Sequence, residues 1–234
     1  MIEQISEYNK RFVNAAPTEV LTFFLNEYRG RIAFSTSLSA EDQVIIQMLA
    51  AIDLSVFIFT LDTGRMFQEM YDLLDLTIQK YKVSIKVYFP DAAAIEEMVN
   101  QKGINLFYES VDNRKQCCHI RKIEPMHRAM RGMDVWISGL RRSQSVTRKA
   151  VELVEWDEAN RMIKVNPLIN WSEEEVWKQI RELKIPYNPL HDKGYPSIGC
   201  MPCTRAIRPG EDIRSGRWWW ELPEFKECGI HVKE

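Results

Sequence analysis

Ile32-Ala33-Phe34-Ser35-Thr36-Ser37-Leu38-Ser39-Ala40-Glu41-Asp42 begins as a short apolar strand, becomes a hydroxyl-rich turn and ends as the first turn of a helix running to Ala51. The same unit then recurs. Val56-Phe57-Ile58-Phe59-Thr60 reads as a strand, Leu61-Asp62-Thr63-Gly64 as its turn, Met66 to Lys82 as a helix and Ile85-Lys86-Val87-Tyr88-Phe89 as a third strand. Strands alternating with helices demand right-handed crossovers, and so an α/β fold with a mainly parallel sheet and helices on both faces.

Outward from this core, residues 17–29 read as a helix that opens at Pro17. Ala92 to Lys102 is another, and a helix starting close to Cys117 and Cys118 runs through Ile123, Met126 and Met130. Val135-Trp136-Ile137-Ser138 returns as a strand. Val151 to Trp156 and Met162 to Val165 pair as a hairpin or extend the sheet edge, and Ser172 with Glu175 forms a capping box before Val176, Ile180 and Leu183. From Ile185 onward Pro, Gly and Tyr dominate, which predicts a loop-rich segment that wraps back over the sheet and delivers Cys200 and Cys203.

A chain of 234 residues, 45% hydrophobic and 27% charged, buries one sizeable core and resembles ordinary globular proteins in composition. No run approaches the roughly 18 apolar residues of a membrane span. Nor does a signal peptide precede the polar Met1-Ile2-Glu3-Gln4 start, so a cytoplasmic location is expected. A net charge of −2 argues against general nucleic-acid binding. Positive charge gathers locally instead, at Arg141, Arg142, Arg148 and Lys149 and again at Arg205, Arg208, Arg214 and Arg217, which suits a compact polyanion.

Ligands of open parallel sheets sit at the carboxyl ends of strands, where both hydroxyl-bearing turns fall. Ser35 to Asp42 offers hydroxyls and N–H groups at a helix start, either as an anion site or as a simple N-cap. Ser138-Gly139-Leu140-Arg141-Arg142-Ser143-Gln144-Ser145-Val146-Thr147-Arg148 follows a strand through a glycine, a context in which the guanidinium forks read as ligand contacts rather than a solvated charge run. Trp218, Trp219 and Trp220 either pack as a lid or stack on a base.

The five cysteines fall into an adjacent pair, Cys117 and Cys118, a C-x-x-C at Cys200 and Cys203, and Cys228 near the end. Disulfides need an oxidising compartment, so a metal site is the stronger reading. Spacing alone leaves zinc and an iron–sulfur cluster level, although a single ion draws its four sulfurs close while neighbouring side chains splay apart.

Asn113-Arg114-Lys115-Gln116-Cys117-Cys118-His119-Ile120-Arg121-Lys122, Tyr195-Pro196-Ser197-Ile198-Gly199-Cys200-Met201-Pro202-Cys203 and Glu227-Cys228-Gly229-Ile230-His231 together resemble the iron–sulfur branch of the adenylyl-sulfate and phosphoadenylyl-sulfate reductases. The likeness covers nearly the whole chain after about residue 30. It implies an adenine-nucleotide α-hydrolase-like, Rossmann-like fold, with residues 1–210 as the nucleotide-binding and iron–sulfur domain and 211–234 as a mobile tail. One [4Fe–4S] cluster per subunit is implied on Cys117, Cys118, Cys200 and Cys203. Cys228 is implied as the nucleophile; His231 either assists it or docks the tail. Ser35, Ser37 and Ser39 resemble the family's modified phosphate loop, with Ser39 in place of the usual glycine. Asp62, Thr63 and Gly64 are similar to the turn that approaches adenine and ribose, and Arg141, Arg142 and Arg148 resemble the family's arginine loop. Arg214 and Arg217 add charge from the tail. Lys122, four residues after Cys118 and able to share its helical face, would bridge the cluster and the bound sulfate.

The activity so implied is thioredoxin-dependent reduction of adenylyl sulfate to sulfite and AMP through a cysteine thiosulfonate, within sulfate assimilation and cysteine biosynthesis. Phosphoadenylyl sulfate, alone or beside adenylyl sulfate, is the alternative substrate, and a similar dithiol protein the alternative reductant. An ATP pyrophosphatase of the same fold would carry a Ser-Gly-Gly-x-Asp-Ser loop, which is absent. A zinc-stabilised nucleotide-binding protein is the non-enzymatic alternative, and a homo-oligomer is compatible with the sequence.

Overall fold

A computed structural model describes residues 2–144, 148 and 150–222; Cys228 and His231 lie outside the described residues. The strands are β1 (Ile32–Thr36), β2 (Phe57–Leu61), β3 (Ile85–Tyr88), β4 (Val135–Ile137), β5 (Val154–Asp157) and β6 (Met162–Val165). They form one sheet in the order β3-β2-β1-β4-β6-β5. Pairing is parallel between β1 and β2, β1 and β4, and β4 and β6. β5 runs antiparallel on β6, so residues 154–165 are both a hairpin and the sheet edge. Successive residues of a strand face opposite sides, and every residue of β4 and β6 is buried, so both faces are covered there.

Eight α-helices are described: α1 (Ile2–Arg11), α2 (Pro17–Glu27), α3 (Ala40–Ile52), α4 (Gln68–Tyr81), α5 (Ala92–Lys102), α6 (Val111–Cys118), α7 (Glu124–Ala129) and α8 (Glu173–Glu182). Helices α2 to α5 agree with the sequence reading within two residues at either end. The capping box of α8 is present in both directions, Ser172 accepting from the Glu175 N–H and Glu175 from the Ser172 N–H. Helix α1 is an addition. Its Tyr8, with Phe12 just beyond its end, is buried on the aromatic face of α2, with Tyr8–Phe24 and Phe12–Phe23 ring centroids 5.0 and 5.1 Å apart.

The helix read around the cysteine pair is different in detail. It begins earlier, at the Ser110 cap, so the pair closes α6 instead of opening a helix. Residues His119–Ile123 then form a π-turn before α7 starts with Pro125 in its first turn. Proline has no N–H to give the carbonyl four residues back, and a widened turn absorbs that loss.

The described chain divides into two compact units interleaved in sequence. The first takes residues 1–60, 69–86 and 132–188, the second residues 61–68, 87–131 and 189–222. In the first, Phe24, Phe34, Val44, Ile45, Leu49, Val135 and Val165 belong to one continuous apolar core. The second gathers Met98, Leu106, Phe107 and Trp218 around Cys117, Cys200 and Cys203. No helix among the described residues is long and apolar enough to cross a membrane.

Candidate active site

Strand order reverses at β1, because β2 lies on one side of it and β4 on the other, so the carboxyl ends of β1 and β4 flank the switch point of the first unit. Ser35 accepts from Trp136 Nε1 at 2.7 Å. Leu38 carries the strain of the turn that follows, with φ at +59°, a conformation costing most residues about 1–2 kcal/mol. Ser39 has φ −67° and caps α3 by accepting from the Asp42 N–H, so the position where the family resemblance implied glycine places no left-handed demand on the chain. The Ser37 N–H and hydroxyl both donate to Asp42 Oδ2, at 2.6 and 2.8 Å. The turn therefore already holds an internal carboxylate. Burial pushes Asp42 up to about 6, although the two Ser37 bonds pull against it.

Gly139, just past β4, lies under that carboxylate, and a Cβ there would collide with Asp42 Oδ1. Arg141 is 4% exposed; its Nε and Nη2 both reach Glu41 Oε1, at 2.9 and 2.8 Å, and Nη1 donates to Ser143 Oγ. Arg142 Nε donates to the Val151 carbonyl and its Nη1 to Asn170, while Arg148 Nη1 donates to Gln144. Three of the five arginines expected to meet an anion are thus gathered after β4, each already engaged by protein acceptors, Arg141 by Glu41, Arg142 by Val151 and Asn170, and Arg148 by Gln144.

In the second unit the Asp62-Thr63-Gly64 turn is an Asx turn, the Gly64 N–H donating to Asp62 Oδ1 at 2.8 Å with Gly64 at φ +70°. Thr63 ties that turn to the cysteines: its Oγ1 is 3.2 Å from Cys200 Sγ, and its carbonyl accepts from Arg121 Nη1 at 2.6 Å. The Met201 N–H donates to the Arg65 carbonyl in the next link.

Cys117, Cys118, Cys200 and Cys203 are buried and unbridged. Burial raises the Cys117 thiol while Arg121 pulls it down, and burial with the field of Cys200 pushes Cys203 up to about 12 against Lys122 and Arg217. The charge of Lys122, within the π-turn, thus bears on Cys117 and Cys203. Among the described residues no three of His, Cys, Asp and Glu are placed to hold a single metal ion. The donor set nonetheless fits a larger group: four thiols, three of them in one apolar cluster, beside a buried Trp218 Nε1 and Arg217 Nε that have no hydrogen-bond partner among the described residues. Buried donors without a protein partner are commonly met by water, an ion or a cofactor.

Residues 203–205 and 216–218 form a short antiparallel clip, with Thr204 bridged to Arg217 and the Trp218 N–H donating to the Cys203 carbonyl at 3.1 Å. Arg217 packs over Gly199, where a Cβ would strike its guanidinium. Arg214 lies beside it in sequence, its N–H donating to Asp212 Oδ1. Trp218 is 1% exposed with Arg114 and Arg217 4.9 and 4.6 Å from its ring, Trp220 packs edge-on against Tyr108 at 4.5 Å, and Trp219 is exposed. Arg121, Arg114 and Glu221 are additions to the residues singled out from sequence. Arg121 had a visible signal, four residues after Cys117; Glu221 had none.

The chain matches the family model described as phosphoadenosine phosphosulfate reductase domain over residues 31–206. An adenosine 5′-phosphosulfate reductase of Allochromatium vinosum is 50% identical over 220 residues, covering 94% of this chain and 86% of that one. The protein of the same name from Burkholderia cepacia is 46% identical over 208 residues, covering 89% and 83%. Among solved structures, a phosphoadenylyl-sulfate reductase of Candida auris superposes with a TM-score of 0.76 at 29% identity, covering 88% of this chain and 97% of that one. An FMN adenylyltransferase of Candida glabrata, at 13% identity and a TM-score of 0.57 over 95% and 78%, shares the fold alone.

Proposed function

The chain belongs to the phosphoadenosine phosphosulfate reductase family, and from that premise we propose that it is an oxidoreductase reducing adenylyl sulfate to sulfite and AMP, with electrons from thioredoxin or a similar dithiol protein. The observation that carries the choice of nucleotide is the near-half identity, over most of the chain, to reductases named for adenosine 5′-phosphosulfate. Phosphoadenylyl sulfate is the second reading, favoured by the Candida auris structure at lower identity.

Cys117, Cys118, Cys200 and Cys203 would hold one [4Fe–4S] cluster, which when bound supplies a compact centre of charge and a structural tie. Lys122, whose charge already bears on Cys117 and Cys203, is positioned to neutralise negative charge at that centre. Arg141, Arg142 and Arg148, with Arg214 and Arg217, supply guanidinium donors for phosphate and sulfonyl oxygens. Ser35, Ser37, Ser39, Asp62, Thr63 and Gly64 line the two turns assigned to the nucleotide.

The chemistry falls to Cys228. Its thiolate attacks the sulfur of the sulfate–phosphate anhydride, a sulfur–sulfur bond forms, and the sulfur–oxygen bond breaks with its electron pair leaving on AMP. One thiol of the dithiol protein then attacks Cys228 Sγ and sulfite departs with the pair of the broken sulfur–sulfur bond. The second thiol frees Cys228, so the dithiol loses the two electrons that the sulfur gains. His231 assists this step or docks the segment. Such thiol traffic suits a reducing compartment, the cytoplasm, and requires neither membrane nor nucleic acid. Sulfite release by anaerobically purified protein, assayed with thioredoxin and each nucleotide in turn, tests the reading. Release from adenylyl sulfate is expected, and absence of sulfite with both nucleotides would overturn it.

A further inference from the structure

Arg114 plays no part in the chemistry above, yet its side chain is 1% exposed in the second unit. A buried charge persists only where its partners are good. Here Nε and Nη2 grip the two oxygens of Glu221 at 3.0 and 2.9 Å, a bidentate pair whose carboxylate is itself 3% exposed. The same guanidinium interacts electrostatically with Cys118 and lies 4.9 Å from the Trp218 ring. Trp218 is held in turn by the Cys203 carbonyl, and the Glu221 N–H donates to the Trp218 carbonyl at 2.8 Å. One side chain of α6 therefore joins the helix that ends in the cysteine pair to the last described stretch of chain.

Cys228 is seven positions beyond Glu221 in sequence. A chain of that length spans at most about 25 Å when fully extended. Where Glu221 is held thus decides which volume Cys228 can reach. We infer that Arg114 is a positioning residue, which by clamping Glu221 beside Cys118 fixes the origin from which Cys228 is presented to the sulfonyl group. This inference rests on the reading of Cys228 as nucleophile. Stability alone does not call for the ion pair, because apolar side chains of similar volume commonly replace such a pair without loss.

The test compares holoenzyme carrying Arg114→Met with Glu221→Leu, the isosteric Glu221→Gln, and Cys228→Ser. Melting temperature, iron per chain, AMP affinity, the rate of tryptic cleavage after Lys226 and the single-turnover rate of sulfonate addition to Cys228 are read on each. The double variant is expected to keep its iron, melting temperature and AMP affinity, to be cut faster after Lys226, and to form the Cys228 adduct on the order of tenfold more slowly. If the double variant loses iron, Glu221→Gln carries the same comparison. Wild-type rates of cleavage and of adduct formation would overturn the inference, as would adduct formation and AMP affinity falling in proportion. An adduct that persists elsewhere in Cys228→Ser would instead remove the reading beneath it.

Discussion

Asp42 is a carboxylate kept where an anion turn would be expected to hold none. Burial raises it to about 6, above the roughly 3.9 of an unfolded aspartate, so its contribution to stability is full below that lower value and is lost as pH rises through about 6. Asn at this position keeps an acceptor for Ser37 and carries no charge. The stability of Asp42→Asn relative to wild type should therefore improve between pH 5 and pH 7.5, by about 1 kcal/mol in denaturant unfolding, and a constant difference would contradict the assignment. A second residue-scale expectation concerns Cys228→Ser. That protein should retain iron and bind AMP yet gain no sulfonate mass and release no sulfite, while wild type without thioredoxin gains one SO₃ on the peptide bearing Cys228. Turnover of the variant would refute the role. Cysteines, arginines and hydroxyl turns are visible in a sequence because their chemistry travels with the residue type. The pairs Arg141–Glu41 and Arg114–Glu221 are not, since their partners stand 100 and 107 residues apart and only folding brings them together.

Elements were legible to the extent that local pattern dictated them. β4 announces itself through unbroken apolar residues, and α8 through Ser172 and Glu175, both of which act before any tertiary contact forms. Ser172→Ala should cost about 1 kcal/mol in unfolding free energy, with Glu175→Ala costing little more on top of it because the two bonds belong to one device. Additive losses would speak against a coupled cap. The π-turn at His119–Ile123 was beyond this kind of reading, because Pro125 announces a break without saying how the chain absorbs it. Helix α1 shows a third case. Its Ile5, Tyr8 and following Phe12 have helical spacing, but the segment is polar overall, and the aromatic face of α2 is what gives that narrow stripe its value.

At the scale of the molecule the two units are held by different means. The first has a long apolar core through β1, β4, β6, α2 and α3. In the second, cysteines make up three members of a small buried cluster, and the segments that supply them, 111–118 and 200–203, are distant in sequence. Hydrophobic burial scales with apolar area, so a small cluster leaves much of the cohesion to other ties. Cys117 and Cys203, whose thiols burial raises, would gain most from a metal centre that accepted them as thiolates, and binding energy of that origin would become folding energy for the segments it joined. Iron removal by an anaerobic chelator should accordingly act on one unit alone. Hydrogen exchange is expected to quicken across residues 111–131 and 189–222, and proteolysis to fall there first, while amides of β1, β4 and β6 keep their protection. A uniform loss of protection over both units would mean that they unfold as one body, and unchanged exchange at 189–222 would mean that the thiols do not carry the second unit.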